Sequence, residues 1–275
     1  MSSLAEALRF DFMQNALAAG VLVSIACGLM GSFVVVNRMV FISGGIAHAA
    51  YGGIGLGYFF RFNPVWGAIG FSLLAALGMG WIEQKYKQRS DTLIGVMWAL
   101  GMAIGILLID LTPGYKADVS SYLFGSILTV PRQDLMMMLM LDLLLAGLIS
   151  LFYKEFVAIS FDVVYATTRN LPVQFLYLLL VAAIALTVVM VMQAVGLIMV
   201  IALLTIPAAI AAQYVQDIKQ MMFLAMALGT IFCTIGLALS YSYNLSSGAT
   251  IILVAGGSYL VSLGVNGWHR QLSSR

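Results

Sequence analysis

His48 is the side chain best placed to do chemistry, because it lies inside an apolar run at 40–60. About eight residues separate it from either end, roughly 12 Å at 1.5 Å per residue, which is membrane depth. Gly44, His48 and Gly52 recur at i, i+4 and i+8, flanked by Gly45, Ala49 and Gly53. The imidazole therefore projects from a helix face with almost no other side-chain bulk. Such a face permits either close helix packing or space for a small ion beside the ring. Neutral imidazole is the commonest transition-metal ligand, and an ionisable group at this depth is a functional candidate. A histidine hydrogen-bonded to a neighbouring helix is the alternative. Asp142 is the second such group, about seven residues inside its apolar run. It serves either a proton relay or, as the sequence favours, a neighbouring polar group that it caps. Asp110 closes the run at 92–111 and can reach water, while Asp118 reads as a turn or cap residue.

Other candidates weaken on inspection. Met136, Met137, Met138 and Met140 suggest thioether ligands for Cu(I), but consecutive side chains on one helix diverge and cannot converge on one ion. Lipid-facing or packing methionine is expected. Cys27 and Cys233 both fall in apolar runs with no Cys or His at metal-ligand spacing, so both read as packing residues. Pro207 removes an amide donor from an apolar helix rich in alanine, which predicts a kinked, tightly packed span. No GxxxxGKS or GxxxxGKT occurs, so the chain has no ATPase site of its own. HExxH and GxSxG are also missing, and His48 and His269 are the only histidines, which argues against an enzyme.

The elements that carry these residues follow from composition. Of 275 residues, 62% are hydrophobic and 9% charged, with mean hydropathy +1.03. Soluble domains carry about 25% charged residues, so a soluble globule, a disordered chain and a nucleic-acid binder are excluded. The 13 basic and 11 acidic residues leave a net charge of +2 and no basic face for phosphates. Apolar runs suggest helical spans at 14–36, 40–60, 64–82, 92–111, 135–153, 174–192, 194–212, 221–241 and 249–265. The near-absent loop at Gln193 makes the total eight or nine. The fold class is all-α, a polytopic bundle forming one transmembrane domain over 1–275. Residues 1–13 suggest an interfacial helix, 112–134 an external segment, and 154–173 a cytoplasmic segment with helical content. Nine Lys and Arg fall in one set of alternate loops and four in the other. That bias places the chain in the cell membrane with the C-terminus cytoplasmic and the N-terminus external.

Several stretches resemble one family. Phe12 to Leu17, Gly28-Leu29-Met30-Gly31, Arg38-Met39 to Phe41-Ile42, and Ala47-His48-Ala49 resemble the opening and second span of the ABC-3 permeases. These are the membrane subunits of bacterial and archaeal ABC importers for zinc, manganese and iron. Asp118 to Leu128, Phe161-Asp162, Ala166, Leu171-Pro172-Val173, Val195 to Ala212 and Leu237 to Val254 extend the likeness over more than 200 residues. The resemblance implies an inner-membrane permease fold that works as a pair with two cytoplasmic ATPase subunits and an external metal-binding protein. ATP would be bound by the partner subunit, this chain holding no cofactor and passing a divalent metal, Zn²⁺ first, then Mn²⁺ or Fe²⁺. Asp162, Ala166, Asn170, Leu171 and Pro172 would form the coupling segment that meets the ATPase. His48 would be a metal ligand on the pathway, with Gly44, Gly52, Pro207 and Asp142 lining or packing it. The family commonly has Asp where Gly44 stands, so this chain lacks that carboxylate. Asn170 stands where glycine is usual, and asparagine tolerates the left-handed conformation. The alternative reading is a proton-coupled secondary transporter using Asp142 and His48.

Overall fold

Caps in the sequence set several of the helix ends. The structure, a computed structural model, describes residues 10–86, 90–113 and 125–273, with side chains to residue 266. Among the described residues the elements are α1 (Asp11–Val36), α2 (Val40–Phe59), α3 (Pro64–Lys85), α4 (Ser90–Leu111), a 3₁₀ turn (Ile127–Thr129), α5 (Arg132–Phe161), α6 (Val163–Thr168), α7 (Val173–Val195), α8 (Leu197–Tyr214), α9 (Ile218–Tyr243) and α10 (Ser247–Ser273). All except α6 and the 3₁₀ turn are long and apolar enough to cross a membrane, nine helices in all. Asn63 accepts from the Val65 amide with Pro64 in the first turn, and Asp217 accepts from the amides of Lys219 and Gln220. Both satisfy amides that a helix start leaves unpaired. Four chain reversals place a non-glycine residue at positive φ: Arg38, Arg61, Asn170 and Asn244. After each, an amide bonds back five residues, as from Met39 to the Val34 carbonyl and from Leu171 to the Ala166 carbonyl. These are Schellman closures.

The core lies along α1, α2, α7 and α8. The most apolar stretch of α2 is 78% buried, whereas those of α4 and α5 are 22% buried and form the periphery. Helix α2 packs between α3 and α4, and α1 between α8, α9 and α5. Small residues permit the tightest of these contacts. A Cβ on Gly101 would stand 2.8 Å from the Ala49 Cα, and one on Gly105 would run into the Tyr51 carbonyl. Without a hydrophobic drive between helices in lipid, such close backbone approach is what holds α4 on α2.

The observed boundaries differ from the expected ones in four places. Helix α1 begins at Asp11, so the last residues of the expected interfacial segment 1–13 belong to the first span, and residues 1–9 lie outside the described region. The break expected at Gln193 falls instead at Gly196, with φ 83°. Helix α8 runs unbroken through the buried Pro207, and the non-helical residue is instead Phe152 in α5. The expected loop from 154 is helical to Phe161, because Phe152, Phe156 and Ile159 continue the apolar spacing across Lys154 and Glu155. Phe156 is fully buried and meets Phe33 edge to face at 5.7 Å.

Candidate functional site

The helix order puts Arg38, Lys85, Lys154, Arg169 and Lys219 toward one end of the bundle, its basic end, and a groove of about 670 Å³ opens beside Arg38. Its walls are Val35 of α1, Arg38 just after it, Phe41 and Gly44 of α2, Asp91 and Trp98 of α4, and Ile201, Thr205 and Ala209 of α8. His48 sits one turn beyond Gly44, half-buried, with its ring against Trp98. The ring centroids are 4.1 Å apart and the planes tilted by 37°. His48 Nδ1 lies 2.9 Å from the Gly44 carbonyl oxygen. A carbonyl can only accept, so Nδ1 carries the proton and the neutral ring keeps its lone pair on Nε2. Among the described residues Nε2 has no hydrogen-bond partner. One nitrogen donor is therefore left beside the groove. No group of three His, Cys, Asp or Glu gathers around a metal position among the described residues.

The two flanking glycines do different work. A Cβ on Gly44 would meet nothing nearer than Trp98 at 3.9 Å and Ile201 at 4.0 Å, so the missing side chain leaves open groove. A Cβ on Gly52 would strike the Phe71 ring at 2.7 Å, so Gly52 is a packing residue. Pro207 is buried within α8, on the helix that supplies the groove's far wall. Trp98, Asp91 and Thr205 were not singled out from sequence. The signal for Trp98 was available: it precedes Gly101 and Gly105 by three and seven residues, which puts it on the same face turned to α2.

Asp142 lies elsewhere. It is 5% exposed on α5, both carboxyl oxygens lack a hydrogen-bond partner among the described residues, and Cys27 of α1 is an electrostatic neighbour. The expected capping role is not seen, and His48 and Asp142 face different helices. The Cys233 sulfur stands 3.8 Å from Ser24 Oγ, and both thiols are free and buried, as packing residues should be. Met136 and Met140 are exposed while Met138 is buried, so the methionine run diverges as expected. Asp110 ends α4 on the surface, and Asp118 lies outside the described residues.

The second candidate region is α6 with its flanks. Asp162 Oδ1 accepts from the Tyr165 amide at 2.9 Å, which starts the helix. Asn170, at φ 55°, ends it in the left-handed conformation, with Leu171 and Pro172 leading into α7. Ala166 is fully buried, while Phe161, Val163, Val164 and Tyr165 are exposed. This capped helix with an apolar outer face stands at the basic end. The end of α5 that leads into it is tied to the bundle by Asn37 Nδ2, which donates to Ser160 Oγ at 2.9 Å. Nearby, the Tyr177 hydroxyl donates to Glu83 and joins α7 to α3.

Comparison with known proteins agrees with this architecture. The family described as the ABC 3 transport family matches residues 9–266. An uncharacterised membrane protein of Synechocystis is 74% identical over 263 residues, covering 96% of this chain and 94% of the relative. The manganese transport system membrane protein MntC of Listeria monocytogenes is 37% identical over 248 residues, 90% of this chain and 88% of its own. Among solved structures, PsaBC from Streptococcus pneumoniae in complex with Fab is similar at a TM-score of 0.84 and 34% identity, covering 94% and 93% of the two chains.

Proposed function

The chain belongs to the ABC 3 transport family, as the membrane permease subunit whose ATPase is a separate subunit, and on that premise we propose that it carries a divalent transition metal past His48. The observation that carries this reading is the unpartnered Nε2 of a membrane-depth imidazole beside an open groove. The pathway is completed by a second copy of the chain, an external binding protein delivers the ion, and two cytoplasmic ATPases drive the cycle. The Lys and Arg bias supports a cytoplasmic basic end, and α6, exposed there, supports contact with the ATPase through Asp162, Ala166, Asn170, Leu171 and Pro172. The cargo class agrees with the manganese relatives. A lone imidazole with no carboxylate one turn away ranks Zn²⁺ ahead of Mn²⁺ and Fe²⁺, since Mn²⁺ favours oxygen donors.

An uptake panel of Zn²⁺, Mn²⁺ and Fe²⁺ tests this, in cells carrying the permease with and without its partner ATPase. Accumulation is expected only with the ATPase, and His48→Ala is expected to lower it at least about tenfold while the complex still assembles. Undiminished uptake by His48→Ala would sink the pathway assignment. Uptake that survives loss of the ATPase but collapses with the proton gradient would favour a secondary transporter.

A further inference from the structure

We propose that Trp98 is the positioning residue that holds the His48 imidazole at a fixed place and angle in the pathway, a proposal that rests on the reading of His48 as the pathway ligand. The Nδ1 bond to the Gly44 carbonyl fixes one ring atom but leaves the ring plane free to turn. The α2 face offers little bulk for a second restraint, because Gly44, Gly45 and Gly52 of its neighbours three and four residues away carry no side chain, Tyr51 being the exception. The ring that stands against the imidazole is the indole of Trp98, whose centroid lies 4.1 Å from that of His48. Among the described residues these are the imidazole's one hydrogen bond and its one aromatic contact.

The placement of Trp98 is itself set by backbone. Gly101 and Gly105 bring α4 so close to α2 that a Cβ at either position would collide with Ala49 or Tyr51. The α4 register is thereby locked, and Trp98, one turn before Gly101, must lie beside His48. A ligand whose orientation is fixed by a neighbour loses about 10–100-fold in function when the neighbour goes. Among the described residues no group of three His, Cys, Asp or Glu gathers to compensate for a misplaced imidazole. Trp98 also borders the groove, so the indole that meets the imidazole lies at the groove's edge.

The test uses the permease with its ATPase and binding protein in proteoliposomes, measuring Zn²⁺ and Mn²⁺ uptake. Trp98→Ala is expected to lower the maximal rate about tenfold with KM unchanged, since ion capture belongs to the binding protein. Trp98→Phe, which keeps an aromatic face, is expected to restore most of that rate. The double variant His48→Ala with Trp98→Ala should be no slower than His48→Ala alone, because the indole acts only through the imidazole. As a second readout, a variant with Trp66, Trp81 and Trp268 changed to Phe leaves Trp98 as sole emitter. Added Co²⁺ should quench its fluorescence, and His48→Ala should abolish the quenching. Trp98→Ala at wild-type rate, multiplicative losses in the double variant, or quenching that persists without His48 would each overturn the positioning role. If His48→Ala itself transports normally, the pathway reading falls instead. If His48→Ala is impaired and Trp98→Ala is not, the positioning role alone falls.

Discussion

The α2–α4 pair and the α5–α6 arm are built on opposite plans. The pair is held by backbone against backbone through Gly101 and Gly105, and nothing larger than hydrogen fits between. The arm is peripheral, bent at Phe152, and anchored by the Phe156–Phe33 contact and the Asn37–Ser160 bond. On α5, a Cβ at Gly147 would meet nothing within 4 Å. Close-packed backbone is stiff, whereas a few side-chain contacts can be remade at modest cost. In the transport reading the stiff region holds the ligand of the ion, and the adaptable one receives the push of the ATPase. The stiffness of a helix pair in lipid thus comes from the side chains it omits.

The same substitution in both regions gives the largest contrast. Gly105→Leu should abolish assembly, since the side chain must displace the Tyr51 carbonyl, while Gly147→Leu should extract from membranes at the wild-type yield. A monodisperse size-exclusion peak for Gly105→Leu would break the comparison. Next in size, Asp162→Ala or Leu171→Asp should leave ATP hydrolysis running while uptake falls at least about tenfold. Retained coupling of hydrolysis to transport would remove the arm from the drive train. A smaller effect is expected from Gly44→Asp. The groove has room for it, and an oxygen donor one turn from His48 should raise the Mn²⁺ to Zn²⁺ uptake ratio several-fold. An unchanged ratio in a competition assay would detach Gly44 from selectivity. The smallest effect belongs to Asn170→Ala, which should cost about 1–2 kcal/mol through its left-handed backbone. Asn170→Gly should cost nothing measurable in thermal unfolding.

Much of this was legible before the fold. Eight or nine spans followed from apolar run lengths, nine being found among the described residues, and His48 stood out because so few polar residues lie inside them. Asn170 was readable as a left-handed turn because asparagine substitutes for glycine there. The role of Trp98 was harder to read, because its stacking depends on the α2–α4 register, which glycine contacts far apart in sequence decide. The length of α5 was misjudged because Lys154 and Glu155 look like a span end, yet they sit on the outer side while Phe156 and Ile159 stay buried. The solitude of Asp142 could not be read either, since a partner for a carboxyl is supplied or withheld by other helices.

Gly196 carries one further consequence. It alone separates α7 from α8, at φ 83° and ψ 161°, a conformation essentially restricted to glycine. A Cβ on Gly125 would strike the backbone at Gly196, so the joint is also braced from outside. A joint one residue long leaves no spare chain between the two helices, so the α8 wall of the groove starts where the buried α7 stops.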